Sequence, residues 1–151
     1  MKVFLIISAL GLAFSIPSDS VRKKHYNINS SSLACEGYDP VEYRNAKKAT
    51  EGKSSFAYTW HGIKYYFKNQ ANQNTFKSNP EIYEPAYGGW CAYAMGNTGE
   101  KVSVDPETFK VINGKTYLFY NSFFNNTKDD WNKAENALKT KADAQWKKII
   151  Q

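Results

Sequence analysis

Two dipeptides, His61-Gly62 and Asn113-Gly114, each separate two runs in which apolar and polar residues alternate, and they constrain this chain more than any other feature. Alternation has the period of a pleated strand, and a two-residue loop ending in glycine matches the twist of two antiparallel strands. Phe56, Tyr58 and Trp60 followed by Ile63, Tyr65 and Phe67 therefore predict one hairpin with a buried face. Residues 109–112 and 115–120 predict a second.

Between and after the hairpins the period changes. Asp39 before Pro40 reads as a helix N-cap with proline at the first helical position, turning Tyr38, Val41 and Tyr43 inward. Residues 69–78 place Ala71, Thr75 and Phe76 near helical spacing, so a short helix should end before Asn79-Pro80, with one more turn over 81–83. In the tail, Asp129 and Asp130 precede Trp131, Ala134, Leu138, Ala142 and Trp146, with Lys147 and Lys148 at the end. That order predicts one amphipathic helix matched to its dipole. A short strand is expected at 101–104 and a turn at Asp105-Pro106-Glu107. The fold class is thus α+β, small antiparallel hairpins packed with short helices and a closing helix. No internal repeat of useful length is visible, only a loose symmetry of two hairpins and two Asp-Pro turns.

The first residues, Met1-Lys2 and an apolar run to Phe14, are too brief to span a bilayer and are followed by Pro17. They read as a signal peptide over residues 1–15, cleaved after Ser15, with a secreted or periplasmic product. Residues 16–32 are polar and without apolar period, which predicts a flexible leader that contains His25, ahead of a single domain over 33–151. No later segment is apolar enough for a membrane span. The 20 Lys+Arg against 14 Asp+Glu are scattered rather than gathered on one face, which argues against nucleic acid and for a solvated monomer.

The densest stretch is 80–95, where three tyrosines, a tryptophan, two prolines, Gly88-Gly89 and Cys91 fall within sixteen residues. Such a density of rigid groups predicts a buried or site-forming loop. Two cysteines in an exported chain suggest a disulfide between Cys35 and Cys91; the rival is a free Cys91 serving as metal ligand or redox thiol. Two triplets, Asn29-Ser30-Ser31 and Asn125-Asn126-Thr127, would accept N-glycans in a eukaryotic secretory route.

The ordered set Gly37-Tyr38-Asp39-Pro40-Val41, Tyr43, Trp60-x-Gly62, Tyr65, Phe67, Asn72, Phe76, Asn79-Pro80, Tyr83 and Tyr87-Gly88-Gly89-x-Cys91-Ala92 resembles exported proteins of the YHS-domain group. The resemblance covers residues 33–149 and implies a compact treble-clef-like α+β domain related to modules of metal-handling proteins. In metal-binding relatives a cysteine pair follows the first hairpin; here that stretch is Phe67-Lys68-Asn69-Gln70-Ala71-Asn72, and both thiolates are missing. The resemblance, with its retained Cys91, points to a protein that acts by binding rather than catalysis, with a transition metal ion (copper, zinc or iron) as one ligand; a free Cys91 near His61 would give that ion its candidate donors. Alternatives are a disulfide-stapled interaction module without metal and a thiol redox protein. No phosphate loop, nucleophile elbow or His-Glu-x-x-His helix supports an enzyme. The aromatic group Tyr38, Tyr43, Trp60, Tyr65, Tyr83, Tyr87, Trp90 and Tyr93 reads either as core or as the wall of a small-ligand pocket.

Overall fold

A computed structural model describes residues 15–151; apart from Ser15, the expected signal segment lies outside the described residues. The chain runs α1 (Asp19–His25), a 3₁₀ turn (Cys35–Gly37), α2 (Pro40–Ala46), β1 (Lys53–Trp60), β2 (Ile63–Phe67), α3 (Gln70–Ser78) and α4 (Pro80–Tyr83). A second 3₁₀ turn (Ala86–Gly89) leads into α5 (Ala92–Asn97), β3 (Asp105–Ile112), β4 (Lys115–Phe119), the minimal pair β5 (Asn121–Ser122) and β6 (Asn125–Asn126), α6 (Thr127–Lys133) and α7 (Glu135–Ile149). The class is α+β, with three separate two-stranded antiparallel sheets among the described residues.

Each predicted hairpin forms for the predicted reason. His61 and Gly62 at one turn, Asn113 and Gly114 at the other, all have positive φ, the conformation a type I′ turn requires. On β2 Ile63, Tyr65 and Phe67 are buried while Lys64 and Tyr66 are only half-buried. Asp39 caps α2 by accepting from Val41 N–H at 2.8 Å, and Asn69 caps α3 by accepting from Asn72 N–H at 2.8 Å.

The loose symmetry is a structural repeat. The left-handed residues Cys35, Glu36, Gly37, Lys47, His61 and Gly62 recur as Tyr87, Gly88, Gly89, Gly99, Asn113 and Gly114, a constant step of 52 from 35 to 87 and from 62 to 114. β1 and β2 recur at the same step as β3 and β4, with the same five residue pairs and the same bulge, Lys53/Ala57 in one and Asp105/Phe109 in the other. Asp39 N–H to Thr50 O at 2.8 Å is matched by Cys91 N–H to Val102 O at 2.9 Å. Between residues 35–67 and 87–119 only Gly37/Gly89, Asn45/Asn97, Gly62/Gly114, Tyr65/Tyr117 and Phe67/Phe119 keep their identity, so the sequence hides what the backbone repeats. After the second hairpin the β5–β6 pair intervenes, so that α6 starts at 127 where the step would give 122. Its tip, Phe123-Phe124, is 93% exposed at both residues.

Four expectations are corrected. Residues 16–32 are not a flexible leader: α1 docks because Arg22 is buried on Glu84, and His25 Nδ1 lies 2.8 Å from Lys101 Nζ. The tail is two helices rather than one, broken at Ala134, whose φ of −146° and ψ of 38° lie outside the helical region. Residues 101–104 stay outside the ladder. The strand begins instead at Asp105-Pro106-Glu107, which was expected to be a turn; the bulge takes up the proline, and Asp105 Oδ1 accepts from Glu107 N–H at 3.0 Å.

The core has three parts. Ala34, Cys35, Val41, Ile63, Tyr65, Phe67, Phe76 and Tyr83 fill the first copy. Met95, Tyr117, Phe119, Trp131, Leu138 and Ala142 are central to the second, while Tyr43, Cys91, Ala94, Val104 and Leu118 form a third cluster that draws on both. Helix α7 lies so close to α5 that a methyl group on Gly96 would stand 2.5 Å from the Leu138 carbonyl oxygen. Gly96→Ala is expected to lower the unfolding free energy by about 1–3 kcal/mol in denaturant titration, the usual effect of overpacking against a rigid backbone.

Candidate functional site: an aromatic cleft between the two copies

The two cysteines do not form the expected disulfide. Both are free and buried, and they belong to different clusters, Cys35 with the first hairpin and Cys91 with α5 and β4. Burial pushes the Cys35 thiol well above its ordinary value, with Glu84 adding to the effect.

Cys91 has a full set of partners. The Tyr120 N–H donates to its sulfur at 3.3 Å, and Thr127 Oγ1 lies 3.4 Å from it. Because the Thr127 hydroxyl donates its only proton to Tyr120 O at 2.7 Å, the thiol must donate to Thr127 Oγ1. The ring of bonds needs a protonated sulfur. The repeat explains why it is there: in the first copy Asp39 Oδ2 accepts from Lys68 N–H at 2.8 Å, and positions 39 and 68 are the counterparts of 91 and 120. Cys91 thus occupies the place of a capping aspartate, fastening the head of α5 to the end of β4.

The residues named for a metal do not fit one. His61 sits half-exposed in its turn, its Nδ1 3.2 Å from Asp19 Oδ1, while Cys91 is fully buried with its sulfur bonded to Tyr120 N–H and Thr127 Oγ1. Among the described residues no group of three or more His, Cys, Asp or Glu is placed to hold a metal ion. Of the signature positions, Tyr38 donates to Glu107 Oε1 at 3.2 Å, and Asp39 and Pro40 build the cap of α2. The Tyr87-Gly88-Gly89 turn is the signature element that reaches a cavity.

Two adjoining cavities of about 270 and 310 Å³ share Tyr26, Glu84 and Lys115 in their linings. The inner one is completed by residues of the second copy, Tyr87, Gly88, Tyr117 and Trp146 among them; the outer one by Arg22, Trp60 and Glu81. Gly88 is needed twice over. Its φ is +60°, and a Cβ there would stand 2.8 Å from the Trp146 ring and 3.0 Å from the Tyr26 ring. The glycine therefore allows the two aromatic walls to close over the turn, with ring centroids 5.7 Å apart.

The electrostatics of the cleft centre on Arg22. Its guanidinium lies 4.4 Å from the Tyr26 ring centroid and 4.7 Å from that of Trp60, and it forks onto Glu84, with Nη2 2.5 Å from Oε1. Burial opposes its charge, but the Glu84 bond and field outweigh burial and hold it above its ordinary value. The Tyr65 hydroxyl donates to the same carboxylate, so Glu84 is saturated. Tyr87 donates to Asp143 Oδ1 at 2.8 Å.

Of the eight aromatics singled out in the sequence, Trp60 and Tyr87 line the cleft; Tyr65 supports it from below, and Tyr38, Tyr43, Tyr83, Trp90 and Tyr93 pack elsewhere. Tyr26, Tyr117 and Trp146 were missed as site residues, as were Arg22, Glu84 and Lys115. A buried arginine looks like any other in a polar stretch; only the repeat, which sets Tyr117 opposite Tyr65, carried a signal.

Three outcomes follow. Cys91→Ala is expected to destabilise the fold by about 1–3 kcal/mol, because it strands the Tyr120 N–H and Thr127 Oγ1, with Cys91→Ser retaining most of the stability. Non-reducing thiol titration should find two thiols after unfolding and almost none reactive in the native state. Burial, with Glu84 next, raises Tyr26 from 10 to about 12, and burial likewise raises Tyr65, Tyr87 and Tyr117. A phenol so raised supports the fold fully below pH 10 and loses that support as pH climbs towards its folded-state value. Denaturant midpoints measured between pH 9 and 12 should fall steadily, with phenolate absorbance appearing late and together with unfolding.

Comparison with protein-family models, with curated proteins and with solved structures finds no match to this chain.

Proposed function

We propose that this chain is an exported YHS-like protein that acts by binding a small organic ligand in the cleft between its two copies. The observation that carries the reading is the pair of adjoining cavities, whose walls hold five aromatic rings and two cations around a fixed Arg22–Glu84 pair. Binding sites are typically mostly apolar clefts with a few fixed polar groups, and this cleft has both. The reading departs from metal handling because a buried Cys91 bonded to Tyr120 and Thr127 and a turn histidine paired with Asp19 are poor ligands together. It departs from catalysis because no cysteine lies in the cleft and neither histidine lines it. Among the described residues no helix is long and apolar enough to cross a membrane.

A second reading, an interaction module, is favoured by one observation. Phe123 and Phe124 stand out at the tip of the β5–β6 pair, an element the first copy lacks.

Heteronuclear NMR with a library of small aromatic compounds tests the first reading. Shift changes should cluster at Tyr26, Gly88, Tyr117 and Trp146, and Trp146→Ala should weaken the hits about tenfold, or about 1.4 kcal/mol. Changes confined to residues 121–126 would favour the second reading, and silence at the cleft would remove the first.

A further inference from the structure

The charges lining the cleft are not equally occupied. Arg22 is engaged by Glu84, and Asp143 by the Tyr87 hydroxyl and by Lys139 Nζ at 2.9 Å. Lys115 differs. Its Nζ makes one hydrogen bond, to the Glu81 backbone oxygen at 2.9 Å, and among the described residues it has no carboxylate within ion-pair distance. An ammonium has three donors, so two remain for something in the cleft.

Its position gives those donors a purpose. Lys115 lines both cavities, as Tyr26 and Glu84 do, so it stands where the two spaces meet. Burial lowers its proton affinity, Glu84 and Glu81 raise it, and Arg22 lowers it again. An anionic group there would exchange thin hydration for charge-assisted hydrogen bonds. The exposed Glu81 carboxylate on the outer cavity repels a second negative group at that end, which disfavours phosphate dianions and favours a monoanion. In the inner cavity Tyr26, Tyr117 and Trp146 offer rings to a planar body, beside Pro85, Ala86 and an Asp143 carboxylate already engaged by Tyr87 and Lys139.

We propose that the cleft takes an aromatic carboxylate, its carboxylate on the Lys115 ammonium and its ring against Tyr26, Tyr117 and Trp146. The assignment rests on the binding reading above and adds ligand chemistry to it. A bound carboxylate stabilises the protonated lysine, so binding at alkaline pH takes up protons.

The test uses three probes on one scaffold, 3-phenylpropanoate, 3-phenylpropanamide and 3-phenylpropylamine, titrated calorimetrically into the full described chain. The carboxylate is expected to bind about tenfold more tightly than the amide, a difference of about 1.4 kcal/mol, and the amine most weakly. Lys115→Met should erase the difference between carboxylate and amide, whereas Lys115→Arg should keep it, which separates lost charge from lost fold. At pH 9.5, titrations in two buffers of different ionisation heat should show net proton uptake with the carboxylate alone. An amine that binds as well as the carboxylate, or a preference that survives in Lys115→Met, overturns the assignment and leaves the cleft reading standing. Binding by none of the three overturns both.

Discussion

Everything in this molecule depends on a clasp made twice. At the head of α2 the Asp39 carboxylate accepts the Lys68 N–H, and at the head of α5 the Cys91 sulfur accepts the Tyr120 N–H. Each clasp joins a short helix to the far end of its own hairpin. These helices have only seven and six residues, too few to be stable alone, so their order comes from tertiary fixation. Asp39 makes more bonds, to Val41 N–H and Asn72 Nδ2 as well, whereas Cys91 relies on a closed ring with Thr127. The same geometry is held in one copy by a carboxylate and in the other by a sulfur, and both side chains are fully buried.

Fold class and both hairpins were legible because their signals are local. A positive-φ turn favours glycine or asparagine, an N-cap needs a short acceptor, and a half-buried strand must alternate; Gly62, Asn113-Gly114, Asp39 and Asn69 meet those needs in plain sight. What failed depended on distance. Whether residues 16–32 are ordered is decided by Glu84, sixty-two positions from Arg22, and polar composition carries no trace of it. The proposed disulfide rested on count and compartment alone, and two cysteines say nothing about the separate clusters they fill. The 52-residue step escaped notice because the copies conserve backbone angles rather than residue types: Cys35 takes the left-handed conformation where the second copy has Tyr87.

The site was half legible. Gly88-Gly89 reads as part of a site-forming loop, and a Cβ on Gly88 would indeed clash with both Trp146 and Tyr26. The chemistry was assigned to the sulfur two positions further on, whereas it is the aromatic wall beside the glycines that faces a cavity. Duplication gives a physical reason for the cleft. Each copy fills its own core, but Lys115, where the first copy has Ile63, projects from β4 into the junction, and α1 returns across it through Arg22. A charged residue where the counterpart is fully buried and apolar is the kind of departure from internal consistency that marks a functional position.

The central claim is that Cys91 is a fastener equivalent to Asp39. Native-state amide hydrogen exchange at Lys68 and Tyr120 tests it most directly. The account predicts that both amides exchange only through global unfolding, at matching free energies and among the slowest in the chain. A Tyr120 amide that exchanges through local opening while Lys68 stays protected would contradict it, and the sulfur would again be free for other chemistry.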